Sequence, residues 1–359
     1  MGEPPDPAEE AAQPTPAPGD KRRRRTLLTA LVAGLLVLAI AAAAYVLSRP
    51  RAETAAPAET SAPAPATTPA ETPTATPTPT PDPPAVALNI LLVGSDSRVN
   101  ARAEAAAGNR SDQRADALVF VHLPADRQSV YGISIMRDLW VDIPGHGTAK
   151  VNAGLELGGL PLMTQTVEAL LNQHIDHTVM LDFQGFAAMT DALGGVDVDV
   201  KQPFTTTVDD IEHFPAGVNR LNGAQALAFV RERHAFPDGD YQRVRNQQTF
   251  LKAVLAKIAN EGGLADRDTV RKLVATVLPH ITVDAGFTLE TLERLAFSLR
   301  DTAPGNGVFF TLPTAGTGTS PDGQSIVLPD NAAIAAVAAA LAGGKLAEYV
   351  AANRLEGGN

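Results

Sequence analysis

At several places where an apolar run of this chain stops, an aspartate or an arginine follows. The run 88–94 ends in Gly94-Ser95-Asp96-Ser97-Arg98, Arg114-Ala115-Asp116 precedes the run 117–123, and the run 130–136 leads straight into Arg137-Asp138. Further along, Arg231-Glu232-Arg233 closes one helical stretch, and the next opens on Asp240-Tyr241-Gln242-Arg243, with Arg243 and Gln247 four apart on one helix face. A guanidinium offers a planar fork of donors that matches phosphate or carboxylate oxygens in pairs, so an arginine set points to anion recognition. Two aspartates such as Asp96 and Asp116, placed beside bound phosphates, would suit a hard cation such as Mg2+. Taken singly, each residue also has an ordinary structural reading. Asp96 and Asp116 could cap turns and strand ends, Arg231 and Arg233 could pair with surface carboxylates, and Arg243 with Gln247 could be a solvated helix face.

The elements that must position these residues are legible in the hydrophobic pattern. LNILLVG (88–94), ALVFVHL (117–123), VYGISIM (130–136) and TVMLDF (178–183) predict strands, and helical periodicity covers 161–172, 185–193, 222–230 and 241–260. Near-continuous apolar strands alternating with helices predict an α/β domain, a central mixed sheet covered by helices on both faces. Helices at 266–278, 288–300 and 330–342 and strands at 308–313 and 325–329 are expected to complete the same sheet. Ligands gather at the carboxyl ends of strands in such sheets, which would bring Asp96, Arg98, Arg137 and Asp138 to one edge.

Composition separates this domain from what precedes it. Sixteen of the 28 prolines fall within 1–20 and 57–84. Residues 26–47 carry no charge and at 1.5 Å per residue reach roughly 33 Å, enough for one transmembrane helix. The basic run Lys21-Arg22-Arg23-Arg24-Arg25 stands just before it, which orients a short tail (1–25) to the cytoplasm and everything beyond the helix (26–48) to the outside. An Ala/Thr/Pro-rich linker (49–85) has too few large apolar side chains to pack and is expected to be a disordered tether. The domain itself is read as 86–345, with core motifs in 89–251, a C-terminal extension over 263–345 and a tail at 346–359. The chain is acidic, with a net charge of −11, which argues against a nucleic-acid partner. It has no cysteine, which removes disulfides, thiolate metal sites and Cys nucleophiles. The seven histidines lack HExxH spacing, and neither a GK[ST] phosphate loop nor a GxSxG elbow occurs.

In combination and order, the blocks NILLVGSDSR (89–98), RADALVFVHL (114–123), SIMRDLWVDIPGHGTAKVNAGLELGG (134–159), VMLDFQGFAAMTDALGGVDVDV (179–200), LNGAQALAFVRER (221–233) and DGDYQRVRNQQTFL (238–251) resemble the LytR-CpsA-Psr (LCP) family of cell-wall phosphotransferases. Met136 stands where that family usually has proline, Ala115 where serine is commoner, and Asn246 where arginine is frequent. The resemblance implies transfer of a glycopolymer phosphate from a polyprenyl-diphosphate carrier onto a peptidoglycan acceptor, with Mg2+. It implies Asp96 and Asp116 on the metal side and Arg98, Arg231, Arg233, Arg243 and Gln247 on the diphosphate, with Lys150 and Asn152 as further contacts. Asp96, Arg114, Asp116, Arg137 and Asp138 are then the catalytic set, and apolar residues of 161–171 and 185–193 would line a pocket for the lipid tail. A receptor that only binds lipid-linked anionic sugars, or a hydrolase of the same diphosphate, are the alternatives. In this reading the two aspartates repel each other, and only a bound anion holds the arginines together.

Overall fold

The computed structural model describes residues 86–96, 105–110, 113–207, 211–260, 270–271, 275, 278–299 and 307–355. The expected cytoplasmic tail, transmembrane helix and linker lie outside these residues, as does Arg98. Among the described residues no helix is long and apolar enough to cross a membrane.

The chain runs β1 (Leu88–Ser95), β2 (Ala115–Leu123), β3 (Val130–Ile135), β4 (Trp140–Ile143), β5 (Gly147–Lys150), α1 (Ala153–Leu171), β6 (His177–Asp182) and α2 (Phe183–Ala192). It continues through β7 (Val196–Val200), β8 (Phe204–Thr205), β9 (His213–Phe214), β10 (Gly217–Leu221), α3 (Gly223–Arg231) and α4 (Asp240–Asn260). The remainder is β11 (Thr282–Val283), α5 (Leu289–Ser298), β12 (Gly307–Thr311), β13 (Thr314–Thr319), β14 (Ser325–Pro329), α6 (Asn331–Ala342) and α7 (Leu346–Asn353).

Six strands form one sheet in the order β11-β6-β1-β2-β3-β12. It is mixed as expected: β1 and β2, β2 and β3, and β6 and β11 are antiparallel, whereas β1 with β6 and β3 with β12 are parallel. Side chains alternate across each strand, so Ile90 joins one core with α2, α3, α4 and α5 while Leu91 and Val93 join a second with α1, α6 and α7. Large side chains such as Phe120, Phe229, Phe250 and Phe310 are fully buried, each contributing about 1.5–3 kcal/mol. Both faces are therefore covered.

The structure revises several boundaries. The helix expected from 161 begins at Ala153 but is broken at Gly158 and Gly159, whose dihedrals are non-helical, and resumes at Pro161. Gly159 has φ +62, and a Cβ there would sit 2.3 Å from the Ala105 carbonyl oxygen, so the break is a close backbone crossing that only glycine permits. The strand expected at 308–313 is β12 in the main sheet, but 325–329 is not part of that sheet. It pairs with β13 in a separate two-stranded unit that touches the Arg137 region through a Leu139–Val327 bridge. Residues 346–353, read as tail, form α7 with Leu346 and Val350 buried. The expected helix 266–278 falls largely outside the described residues.

Candidate active site

Asp116 owes its position to an irregularity in the β1–β2 ladder. Gly94 pairs with Ala117 and Ser95 with Ala115, so Asp116 is the extra residue of a β-bulge. A bulge re-aims its side chain, and here the carboxylate meets Arg137 at the end of β3, with Nη1 to Oδ1 at 2.5 Å. Arg137 also lies 3.7 Å from Asp138 and 3.6 Å from Asp240. Burial alone would lower the Arg137 pKa, but Asp240, Asp116 and Asp138 outweigh it and hold the group above its ordinary value.

The first turn of α4 supplies the other half of the cluster. Arg243, with a side chain only 5% exposed, donates to Asp240 from Nη2 at 2.8–2.9 Å and to the Asp116 carbonyl at 3.4 Å. Its pKa is lowered, chiefly by burial, which the Asp240 charge offsets only in part while Arg137 works against it. Asp240 also lies 4.0 Å from Arg233. One aspartate thus faces three guanidinium groups drawn from three chain segments. The expectation that nothing but a bound anion holds the arginines is corrected for Arg137 and Arg243, which Asp240 faces together with Arg233. Asp116 likewise faces an arginine, not a second carboxylate.

Glu232 builds the turn that carries Arg233. It is fully buried, and its carboxylate accepts from the backbone N–H groups of Thr207, Arg233, His234 and Ala235. Burial alone would raise its pKa; the hydrogen bonds from Thr207, Ala235 and His234 more than reverse this and hold it below the ordinary 4.5. Arg231, one residue before, places its guanidinium 4.3 Å over the Phe183 ring, a cation–π contact. Gln247 donates to the Val230 carbonyl at 3.4 Å, which ties α4 to α3.

Asp116, Arg137, Arg231, Arg233, Arg243 and Gln247 all line one cavity of about 310 Å³. Behind this polar mouth the walls are apolar, with Val119 and Val179 from the sheet, Phe186 and Met189 from α2 and Phe250 from α4. The expected apolar lining is thus found on α2, while α1 packs in the opposite core. Asp96, Arg114, Asp138, Lys150 and Asn152 do not line this cavity. Asp96 accepts the Arg114 N–H at 3.1 Å at the end of β1, and the Arg114 side chain turns to Glu156 at 3.5 Å. Lys150 pairs with Asp138 at 3.2 Å. Asn152 is buried and donates its backbone N–H to the Arg137 carbonyl at 3.2 Å.

Asp240, Glu232 and Phe183 were not singled out from the sequence. For Asp240 a signal existed, an aspartate three residues before Arg243 in the first turn of a helix, where a carboxylate is favoured.

A largely apolar cavity with an arginine cluster, set against a mixed sheet covered by helices on both faces, defines the class. The LytR_cpsA_psr family model matches residues 60–342, and the chain belongs to that family. Among curated proteins it is 29% identical over 280 residues to the cell wall biosynthesis protein LcpA of Corynebacterium glutamicum, covering 68% of this chain and 53% of LcpA. It is 32% identical over 205 residues to the polyisoprenyl-teichoic acid–peptidoglycan teichoic acid transferase TagU of Bacillus cereus, covering 56% of this chain and 63% of TagU. The chain thus spans about half the length of LcpA and under two thirds of TagU. The crystal structure of B. subtilis TagV shares the fold, with a TM-score of 0.60 at 23% identity over 73% of this chain and 98% of TagV.

Proposed function

We propose that this chain is a membrane-anchored phosphotransferase, facing outside the cytoplasm, that moves a glycopolymer phosphate from a polyprenyl-diphosphate carrier onto peptidoglycan. The observation that carries the reading is the junction of two chemistries in one cavity: Arg137, Arg231, Arg233 and Arg243 at the mouth and an apolar interior behind them. A polyprenyl diphosphate has the same two parts in the same order. The name of TagU, a polyisoprenyl-teichoic acid–peptidoglycan transferase, describes a reaction of this type.

In the proposed reaction an acceptor hydroxyl oxygen forms a bond to the phosphorus that bears the polymer. The bond from that phosphorus to the bridging oxygen breaks, polyprenyl monophosphate leaves, and the hydroxyl proton passes to a carboxylate of the Asp96, Asp116 and Asp138 set. Phosphoryl transfer asks a protein mainly for positioning and charge stabilisation. Arg137 and Arg243, preorganised by Asp240, serve both ends. Arg231 and Arg233 reach the same oxygens from α3 and the turn after it.

Mg2+ is part of the proposal, with Asp116, which lines the cavity, as the residue that would hold it together with substrate phosphates and water. Asp96, at the end of β1, does not line that cavity, and among the described residues no group of three acidic or histidine side chains could hold a metal. Bound there, the ion would neutralise charge on the diphosphate.

The test incubates the full chain in detergent with a lipid-linked polymer and peptidoglycan fragments. Polymer covalently attached to the fragments, with release of polyprenyl monophosphate, is the expected result. Release of polymer phosphate into water at an equal rate without fragments, or binding with no turnover, would overturn the proposal.

A further inference from the structure

The cavity accounts for the donor but leaves the acceptor without a seat. A hydroxyl displacing the lipid phosphate must approach the phosphorus from the side away from the lipid, that is, from outside the mouth. A two-stranded ribbon follows directly in the chain from Arg137, which lines the cavity. Its stem is closed by hydrogen bonds from Asn152 N–H to the Arg137 carbonyl, 3.2 Å, and from Val151 N–H to the Leu139 carbonyl, 2.8 Å. The strands β4 and β5 extend from it, pairing Trp140 with Lys150 and Asp142 with Thr148. Val141 and Ile143 are buried on one face, so the alternation of a strand gives the other face to Trp140, Asp142, Thr148 and Lys150.

This outer face has the composition of a sugar-binding surface. Trp140 is the only tryptophan in the chain, and it is half-buried on its strand. An indole face, negative in its quadrupole, attracts the C–H-rich face of a pyranose ring. Beside it, Asp142 and Thr148 are exposed, and Asp138 is held by Lys150 at 3.2 Å, giving acceptors and donors for sugar hydroxyls. Asp138 links the two places, since it lies 3.7 Å from Arg137 on one side and two residues before Trp140 on the other. From this we infer that the β4–β5 ribbon is the subsite for the acceptor glycan, with Trp140 stacking the pyranose whose hydroxyl attacks. The inference rests on the transferase reading above.

Because Trp140 is alone, the fluorescence of the full-length protein in detergent reports on this ribbon and nothing else. Titration with the N-acetylglucosaminyl-N-acetylmuramic acid disaccharide and with chitotetraose is expected to give a saturable change in emission. Trp140→Phe, followed by transfer kinetics, should raise the apparent KM for peptidoglycan fragments by a few-fold, and Trp140→Ala by about tenfold, with the smaller effect of Phe marking retained stacking. Stabilisation of both variants by geranylgeranyl diphosphate should match that of the parent. No fluorescence change with either glycan, or a KM for fragments unaltered in both variants, would overturn the subsite. A change given only by the donor's own sugar would overturn it as well. Failure of geranylgeranyl diphosphate to stabilise the parent protein would instead overturn the transferase reading.

Discussion

Asp240 holds together side chains that would otherwise drive each other apart. Replacing it with Asn leaves Arg137 and Arg243 facing each other with one fewer counter-charge, so Asp240→Asn is expected to lower stability by about 2 kcal/mol, measured by urea unfolding. Asp116→Asn removes one of the three carboxylate charges around Arg137, the one that accepts its hydrogen bond as an ion, and is expected to abolish turnover while lowering the melting temperature, not raising it. Arg243→Lys keeps a charge near Asp240 but loses the fork, and should weaken binding of a polyprenyl diphosphate by about tenfold in calorimetry. Much of this site is legible in the sequence because arginines that follow strands and open helices advertise themselves. The role of Asp240 was hidden because a carboxylate in a first helical turn looks like an ordinary dipole partner, and its three contacts come from residues as distant as Arg137. The bulge at Asp116 was hidden too, since register is a property of two strands together.

At the scale of elements, turns and breaks carry the site as much as strands do. The turn after α3 depends on a buried carboxylate whose folded pKa lies below its unfolded one. Its contribution to stability is present in full above pH 4.5 and disappears as pH falls through the folded value. The stability difference between the parent and Glu232→Gln is therefore expected to be constant near neutrality and to close on acidification, as followed by thermal melts from pH 7 to 3. The crossing at Gly159 is a second such point. Gly159→Ala combines an unfavourable positive φ with a backbone clash and is expected to cost more than about 2 kcal/mol. Gly145→Ala, also at positive φ but with open space around its Cβ, is expected to cost about 1 kcal/mol. Helix periodicity read through Gly158-Gly159-Leu160-Pro161 only from the proline onward, because the preceding turn is too short to repeat its pattern. β7 alternates strictly, with Val196, Val198 and Val200 buried, yet it pairs only with β10 outside the main sheet.

At the scale of the whole molecule, the topology expected from Lys21-Arg22-Arg23-Arg24-Arg25 and the apolar 26–47 can be tested directly. A reporter active only outside the cytoplasm, fused after Asn359, should be active; activity from a cytoplasm-restricted reporter would reverse the orientation.

Both borders of the six-stranded sheet, β11 and β12, are the last of its strands in chain order, and they flank strands made more than 95 residues earlier. A polypeptide emerging amino end first would present β6 and β3 as raw margins until the C-terminal third arrives. Unpaired margins of that kind recruit other chains. The C-terminal extension thus covers β6 and β3 and moves the margins of the sheet out to β11 and β12.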